Sequence, residues 1–330
     1  MNDLSDLSKP LKTWSHLAKN RKRPSEYEVV STNLLWSTDD KMPWALSAET
    51  PMNKWYLKYR EGSPLQHPDW NAFRDPEQLI YRTYNILQDG QEAYVDGLLN
   101  EYNQNDHDKS LSREWLKTLA VHYAPARYPL HAIQMGSAYL VQIVPASTIE
   151  NCAMFQTADQ LRWLSRLAYR TKELSLSYPT LGFGSNERDY WETHPAWAGF
   201  RELMERVLVA YDWGEHFVAL NLVAKPALDE VLARELGRIA RNSGDNLLGQ
   251  LADAQLLDSD RSRRWSDALI NFMYENDKNV EPLRDWLDKW WPYGEAAIDS
   301  YCELLSEGAE SATNAKNQIE SFHIKLGLKN

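Results

Sequence analysis

Cysteine is scarce in this sequence, and the positions of the few cysteines exclude two common kinds of site. Cys152 and Cys302 are the only ones in 330 residues, and they lie far apart without a Cys-x-x-Cys spacing. Neither a disulfide framework nor a cysteine metal site is therefore indicated. Sparse, unpaired cysteine is typical of a reducing compartment, and we expect a cytoplasmic protein.

The sequence also lacks a hydrophobic run long enough to cross a membrane. Its most apolar window, residues 132–146, is short and contains Gln134 and Gln142. Because a spanning helix needs about 20 mostly apolar residues, this window predicts a buried helix. The first residues, Met1-Asn2-Asp3-Leu4, lack the basic and apolar regions of a signal peptide. We therefore expect no membrane partner.

An excess of positive charge is missing as well. The formal net charge is −11, which disfavours electrostatic binding to nucleic acid or to anionic lipid. One short basic run occurs at residues 19–23, and its isolation near the N-terminus favours a solvated or partner-facing arm. We expect no nucleic-acid partner.

Motifs for nucleophilic or metal chemistry are absent too. There is no Gly-x-Ser-x-Gly elbow and no complete phosphate loop. Among eight histidines, only His323 follows a glutamate by three positions, Glu320, and we interpret this pair as part of a solvated tail. His131 fits a core or capping histidine. His216 has its glutamate at the preceding position, which is on another helix face.

Helical periodicity dominates the rest of the chain, and no stretch shows convincing strand alternation. Asp75-Pro76-Glu77-Gln78 has the pattern of a helix start, with an N-cap and a capping-box position. We predict helices at about 75–103, 112–122, 129–143, 147–177, 196–223, 226–241, 245–274, 279–290 and 292–305. At least two of them exceed 25 residues, which suits an elongated all-α bundle.

The N-terminal region differs from this bundle because it is rich in proline and tryptophan without sustained periodicity. We divide the chain into an extended arm at 1–74, a helical bundle at 75–305 and a C-terminal tail at 306–330. Large apolar rings on an irregular segment must pack on something, and we favour a neighbouring subunit over the chain's own bundle. The candidate interface residues are Trp14, His16, Tyr27, Trp36, Trp44 and Trp55.

A repeated Asp-x-x-Arg frame stands on the two longest predicted helices. The copies are Asp159-Gln160-Leu161-Arg162-Trp163 and Asp260-Arg261-Ser262-Arg263-Arg264. Carboxylate-bridged di-iron proteins carry Glu-x-x-His pairs on such helices, and bacterial multicomponent monooxygenases place the pair inside Asp-Glu-x-Arg-His. The ligand positions are here occupied by Gln160, Trp163, Arg261 and Arg264. An amide, an indole and two guanidiniums cannot hold two iron ions.

A single Asp-x-x-Arg frame is by default a chance exposed salt bridge, but two on long helices are harder to dismiss. Our hypothesis is that Asp159 and Arg162 meet Arg263 and Asp260 in the core. This paired polar cluster would fix the register of the two helices. We also expect Trp163 to pack in the core.

Longer strings carry a specific resemblance that spans most of the chain and weakens after about residue 305. They are Lys12-Thr13-Trp14-Ser15-His16-Leu17-Ala18, Arg23-Pro24-Ser25-Glu26-Tyr27, Asp69-Trp70-Asn71-Ala72-Phe73-Arg74-Asp75-Pro76, Pro145-Ala146-Ser147-Thr148-Ile149 and Asp212-Trp213-Gly214-Glu215. With these strings the sequence resembles the beta subunit of the hydroxylase component of toluene/o-xylene-type di-iron monooxygenases.

The resemblance implies a non-catalytic structural subunit with a metal-free, ferritin-like helical fold and no cofactor of its own. It further implies an (αβγ)2 assembly whose alpha subunit holds the di-iron centre, served by a coupling protein, a Rieske-type ferredoxin and an NADH-dependent reductase. The substrate, an aromatic hydrocarbon or an alkene such as isoprene, is left open. The alternatives are an autonomous di-iron or ferritin-like enzyme and a stand-alone helical binding module.

Overall fold

The computed structural model describes residues 24–35 and 49–329, and within these ranges the regular structure is entirely helical. The prediction of an all-α protein is confirmed. Its helices are α1 (Glu26–Ser31), α2 (Pro51–Tyr56), α3 (Tyr81–Gln104), α4 (Arg113–Thr118), α5 (Arg127–Ile143), α6 (Ser147–Ser177), α7 (Glu187–Thr193), α8 (Pro195–Val207), α9 (Trp213–Phe217), α10 (Lys225–Leu228), α11 (Leu236–Asn242), α12 (Asn246–Met273), α13 (Val280–Cys302) and α14 (Gly308–Lys325).

One continuous helix, residues 213–242, forms the centre of the fold, and we call it the central helix. It joins α9, α10 and α11 through two π-helical segments, Val218–Ala224 and Asp229–Glu235. Nearly all of its residues are buried, as expected for a helix that is surrounded on every side. Pro226 was predicted to kink or restart the helix, but the helix continues through it between the two π segments.

Three long helices and the central helix form the core bundle. α5 packs along α6, α6 contacts α12, and α12 packs against the central helix. α3 packs against α12 and is joined to α6 by side-chain hydrogen bonds, while α8, α13 and α14 cover the other side of the central helix. Every element of this bundle therefore has a neighbour on its apolar face, which provides the burial that stabilises long helices.

Gly199 allows α8 and α13 to approach closely. A Cβ atom at this position would lie 2.6 Å from the Cα of Ala297 and 2.7 Å from the carbonyl oxygen of Ala296. The contact is with backbone, which cannot move aside without shifting α13.

Several predicted boundaries are wrong. Asp75 caps a turn instead of a helix: its carboxylate accepts the backbone N–H groups of Glu77 and Leu79 at 3.0 Å. Gln78 has a φ of 46°, a left-handed conformation that a helix cannot contain. The helix consequently begins only at Tyr81.

Other differences follow from tertiary packing. Pro292 lies inside α13 and does not separate two helices. A break at 208–212 interrupts the helix predicted over 196–223, and α7 lies in a region predicted as a loop. The C-terminal region is not a solvated tail, because α14 buries residues such as Ile319 and Phe322.

The predicted arm at 1–74 contains more helix than expected in its described part. Residues 26–31 form α1, whose Ser25 and Glu28 make a capping box, and α2 continues into a π-helical turn at Leu57–Glu61. Residues 1–23 and 36–48 lie outside the described ranges.

Candidate functional site

Two buried ion pairs join α6 to α12 reciprocally. Arg261 on α12 donates a hydrogen bond to Asp159 on α6 at 2.5 Å, and Arg162 on α6 donates to Asp258 on α12 at 3.1 Å. Within α12, Arg261 also donates to Asp258 at 2.8 Å, and within α6 the Arg162 and Asp159 side chains are 3.7 Å apart. We call these four residues the ion-pair cluster. Their formal charges cancel.

α3 completes the hydrogen bonding of the two carboxylates. Gln88 donates from its amide nitrogen to both Asp159 and Asp258 at 3.0 Å, and Tyr84 donates its hydroxyl to Asp159 at 2.8 Å. Trp163, which is 4 % exposed, donates its indole N–H to Asp258 at 2.8 Å. Burying a carboxylate is costly unless it is paired with a positive charge and hydrogen-bonded. Side chains from α3, α6 and α12 meet both conditions for Asp159 and Asp258.

The prediction that Asp260 and Arg263 belong to this cluster is wrong. Asp260 is exposed on the other face of α12, and Arg263 donates to Glu230 of the central helix at 2.7 Å. Arg264 was predicted at a vacated ligand position, but it is exposed and pairs with Glu77. Two residues along a helix turn the side chain by about 200°, so a frame started at Asp260 has the wrong phase.

The structure instead identifies a second frame that starts two residues earlier. Asp258-Ser259-Asp260-Arg261-Ser262 also reads Asp-x-x-Arg, and its Asp and Arg are the ones that meet Asp159 and Arg162. Arg261 is therefore the arginine of the frame and does not stand at a ligand position. The signal was present in the sequence, but choosing between the overlapping frames required knowing which face of α12 is buried.

Burial and the neighbouring charges together set the pKa values in the ion-pair cluster. Burial and the neighbouring Asp258 raise the pKa of Asp159 to about 7, against the opposing effect of Arg261. The pKa of Arg261 lies above its ordinary value, because the two carboxylates outweigh the effect of its burial. Burial, together with the Asp159 carboxylate, raises the pKa of Tyr84, so this hydroxyl stays protonated and acts as a donor.

A second, uncharged polar network lies inside the core bundle and connects all four of its helices. Its centre is Gln156 on α6, whose amide nitrogen donates to Ser137 on α5 at 2.9 Å. The amide oxygen of Gln156 accepts hydrogen bonds from Asn221 on the central helix at 3.0 Å, and from Ser262 and Trp265 on α12 at 2.5 and 3.2 Å. Nothing in the sequence distinguished Gln156 from an ordinary helix residue.

These two clusters do not fit a di-iron centre. Asp159 and Asp258 already bind guanidinium groups, and the other polar groups of the two clusters are amides, hydroxyls and indoles, which are poor iron ligands. Gln160 is buried, and among the described residues its amide oxygen has no hydrogen-bond partner. The described ranges contain no group of three or more His, Cys, Asp or Glu side chains arranged to hold a metal ion.

A further buried ion pair was missed by sequence reasoning. Arg170 on α6 donates to both carboxylate oxygens of Asp245 at 2.8 Å. Asp245 also caps α12 by accepting from the Leu248 backbone N–H, and it accepts from the Trp115 indole at 2.9 Å. Although burial opposes ionisation, Arg170 and these donors hold the pKa of Asp245 well below its usual range.

Two of the three histidines discussed above, His323 and His131, do not lie where the sequence predicted. His323 is fully buried and lies 2.8 Å from the Leu222 carbonyl oxygen, so its assignment to a solvated tail is wrong. His131 is exposed and is not a core histidine. Burial lowers the pKa of His216 to about 4 and keeps it neutral.

The candidate interface residues fall into three groups. Trp14, His16, Trp36 and Trp44 lie outside the described residues. Tyr27 is buried within this chain, where its hydroxyl accepts the Asp75 backbone N–H at 3.1 Å, so its assignment as a subunit anchor is wrong. Trp55 is half-buried and donates its indole N–H to Tyr139 at 3.0 Å; its role at an interface stays a prediction.

Comparison with known proteins agrees with this fold. Residues 55–277 match the family model described as methane/phenol/alkene hydroxylase. The chain is 51% identical over 299 residues to the hydroxylase component subunit beta of the toluene-4-monooxygenase system of Ectopseudomonas mendocina, covering 90% of this chain and 91% of the relative. No helix in the described part is long and apolar enough to span a membrane.

Solved structures show the same architecture. A chain of toluene 4-monooxygenase, solved with toluene in its resting active site, superposes with a TM-score of 0.85 at 50% identity, covering 89% of this chain and 97% of that one. A chain of xenon-pressurised phenol hydroxylase from Pseudomonas sp. OX1 gives 0.83 at 20% identity, covering 98% and 97%, which supports the ferritin-like fold alone. On the length and identity of these matches, the chain belongs to the methane/phenol/alkene hydroxylase family and is a beta subunit of a monooxygenase hydroxylase component.

Proposed function

We propose that this chain braces a di-iron alpha subunit within an (αβγ)2 hydroxylase and does no chemistry itself. The observation that carries the proposal is the ion-pair cluster. Beside the positions where a di-iron bundle would present metal ligands, this chain has two buried carboxylates, and each is paired with an arginine, Arg261 or Arg162. Such a core is rigid and chemically inert, as a scaffold for a neighbouring site requires.

The corrected frame extends this proposal to the vacated ligand positions. By analogy with Asp-Glu-x-Arg-His, the positions of the metal ligands are occupied by Gln160 and Trp163 on α6 and by Ser259 and Ser262 on α12. Two of these residues bind neighbouring side chains in place of a metal ion. Trp163 donates a hydrogen bond to Asp258, and Ser262 donates one to Gln156 of the neutral network. We propose that the ion-pair cluster fixes the register of α6 on α12.

The proposed partners are the alpha subunit, with its di-iron centre, and a gamma subunit. A coupling protein, a Rieske-type ferredoxin and an NADH-dependent reductase would act on the complex in the cytoplasm. The assembled hydroxylase would use O2 and NADH-derived electrons to hydroxylate an aromatic hydrocarbon or epoxidise an alkene. The net charge of −11 supports the absence of nucleic acid and anionic lipid from the partner list.

The N-terminal arm remains a proposed contact with the alpha subunit. Deletion of residues 1–23 removes Trp14 and His16 and leaves α1 and the buried Tyr27 in place. If the arm is a principal anchor, co-purification of this chain with the alpha subunit falls sharply. Undiminished assembly of the truncated chain would refute the arm as an anchor.

Reconstitution tests the proposed function as a whole. The chain is co-expressed with the alpha and gamma subunits, and iron is measured in the purified complex and in the chain alone. We expect about two irons per αβγ unit, background iron in the chain alone, and hydroxylation only from the complex supplied with its electron-transfer components. Iron bound stoichiometrically by the isolated chain, or no stable complex, would contradict the proposal.

A further inference from the structure

Pro226 lies in the middle of the buried central helix, where a proline normally breaks or kinks the helix. Because proline has no N–H, the carbonyl oxygen of Leu222 cannot accept the usual α-helical hydrogen bond from the residue four positions later. Leu222 is fully buried, so bulk water cannot reach this carbonyl. Left unpaired, it would lower the stability of the folded chain.

His323 of α14 supplies the missing donor. Its Nε2 lies 2.8 Å from the Leu222 carbonyl oxygen, and because a carbonyl oxygen only accepts hydrogen bonds, Nε2 must carry the proton. The imidazole is fully buried, and among the described residues its Nδ1 has no hydrogen-bond partner. The ring stands edge-on to Trp291 of α13, with ring centroids 5.0 Å apart. Donation to Leu222 therefore accounts for an imidazole, and not a purely apolar ring, at this place.

The backbone before Pro226 is arranged to admit the proline ring. Lys225 keeps helical angles, with φ −66° and ψ −49°, although the residue before a proline is sterically disfavoured in that region. The π-helical segment Val218–Ala224 widens the helix there, and the Lys225 N–H donates to the carbonyl of Leu220, five residues back. The central helix thus continues through Pro226, with the Leu222 carbonyl bonded to a neighbouring helix.

The same arrangement occurs at Pro125, a second buried proline. Its missing N–H would have bonded the carbonyl of Val121, and that carbonyl accepts instead from the indole N–H of Trp197 on α8 at 2.7 Å. A π-helical segment, Leu119–Tyr123, again lies directly before the proline. Two independent sites therefore combine a π-helical segment, a buried proline and a ring N–H from another helix.

The exposed proline of α13 provides a contrast. Pro292 deprives the carbonyl of Asp288 of its α-helical donor, but both residues are exposed, so water can bond that carbonyl. Ring donors from other helices thus occur where the carbonyl affected by proline is in the core.

We propose that α14 is a strap that holds the central helix continuous across Pro226, with the N–H of His323 replacing the N–H that proline lacks. Asn221, the residue before Leu222, donates to the neutral network, so the strap also fixes this network. Release of α14 would leave the central helix free to bend at Pro226. This role concerns the chain itself, goes beyond the proposed function and does not depend on it.

The first test is a double-mutant cycle between the donor and the proline. His323→Phe removes the N–H but keeps a ring, and the melting temperature of the full chain should fall by about 2–6 °C. Pro226→Ala returns an N–H four residues after Leu222, so in that background His323→Phe should lower the melting temperature by less than half as much. Equal losses in the two backgrounds would overturn the proposal, because the histidine would then act by packing alone.

His216→Phe is the matched control. His216 is also buried in the central helix, and its two ring nitrogens lie 3.0 Å from the carbonyl oxygens of Ala210 and Gly136. Neither carbonyl loses its donor to a proline, so His216→Phe should lower the melting temperature equally with and without Pro226→Ala. If Pro226→Ala also rescues His216→Phe, the rescue is unspecific and the proposal fails.

Hydrogen exchange shows where the effect lies. In His323→Phe, the amides of residues 218–228 should exchange about tenfold faster than in wild type, whereas those of α6 should keep the wild-type rate. Unchanged exchange at 218–228, or faster exchange throughout the chain, would contradict the strap. If His323→Phe does not fold, the proposal requires that adding Pro226→Ala restores folding, and failure to restore it would overturn the proposal.

Discussion

Asp159 of α6 accepts a hydrogen bond from Arg261 of α12 at 2.5 Å, and Asp258 of α12 accepts one in return from Arg162 of α6. The reciprocity means that neither helix can shift by a turn without separating both pairs. Gln88 of α3 donates to both carboxylates at once, so the position of α3 depends on the same alignment.

Removing one partner of this cluster should be costly. Asp159→Ala leaves Arg261 buried without one of its carboxylates, and we expect a loss of about 3–5 kcal/mol in the free energy of unfolding. Replacing both residues, as in Asp159→Leu with Arg261→Met, should cost clearly less than the single change. Denaturant unfolding measures both variants, with Asp260→Ala as an exposed control expected within about 0.5 kcal/mol of wild type. A large loss for the control would contradict the corrected frame.

The two buried aspartates should give opposite pH dependences. Asp245 has a lowered pKa in the folded state. Its contribution to the free energy of unfolding is therefore complete above the unfolded-state pKa of about 3.9, and it is lost as the pH falls below that value. Asp159 has a pKa raised to about 7, so its contribution is complete below about 3.9 and is lost as the pH rises to 7, by at most about 1.4 kcal/mol per pH unit.

The measurement is the unfolding free energy of wild type, Asp159→Asn and Asp245→Asn between pH 3 and 8. The difference in unfolding free energy between wild type and Asp245→Asn should shrink as the pH falls toward 3. The difference between wild type and Asp159→Asn should shrink as the pH rises from 4 to 7. Parallel curves for the two variants would show that the two carboxylates share one environment, which the structure contradicts.

Alanine at two glycine positions should have effects of opposite sign. Gly199→Ala should destabilise the chain by about 1–3 kcal/mol, because its Cβ would lie 2.6 Å from the backbone of α13. Gly90→Ala has open space and should stabilise it by up to about 1 kcal/mol. Thermal unfolding of the two variants provides the comparison, and a neutral Gly199→Ala would mean that α8 and α13 are less closely packed than described.

The neutral network should depend on its central amide. Gln156→Leu leaves Asn221, Ser262 and Trp265 without their shared acceptor, at a cost of about 1–3 kcal/mol for each group left unsatisfied. The matched control is Gln318→Leu on the exposed side of α14, where we expect almost no change. Comparable stability of the two variants would show that Gln156 does not hold the network together.

Restoring two ligand types should not restore a metal site. The double substitution Gln160→Glu with Trp163→His should bind no more iron than wild type, because Arg162 and Arg261 remain in the core and repel cations. Helix α5 has no carboxylate, and Glu230 of the central helix is already paired with Arg263. Metal analysis after anaerobic loading with ferrous iron tests this, and about two irons per chain would show that the vacancy is easily reversed.

Long periodic helices were the most predictable part of this protein. The N-cap aspartate and the apolar periodicity of residues 246–273 are local properties, and α12 begins and ends within a residue of its prediction. Boundaries set by distant contacts were not predictable. Gln78 takes a left-handed conformation beneath the Asp75 turn, and Pro292 is accommodated within α13.

The candidate site shows the same division between sequence and tertiary structure. The sequence alone determined that the chain is helical and that Asp159 and Arg162 stand in a repeated frame, because periodicity and spacing are local. Longer residue strings carried the resemblance to a hydroxylase beta subunit. It did not determine which of two overlapping frames on α12 faces α6. Only the tertiary structure decided for Asp258 and Arg261 over Asp260 and Arg263. The reason is physical: neighbouring phases of one helix are equivalent until packing buries one of them.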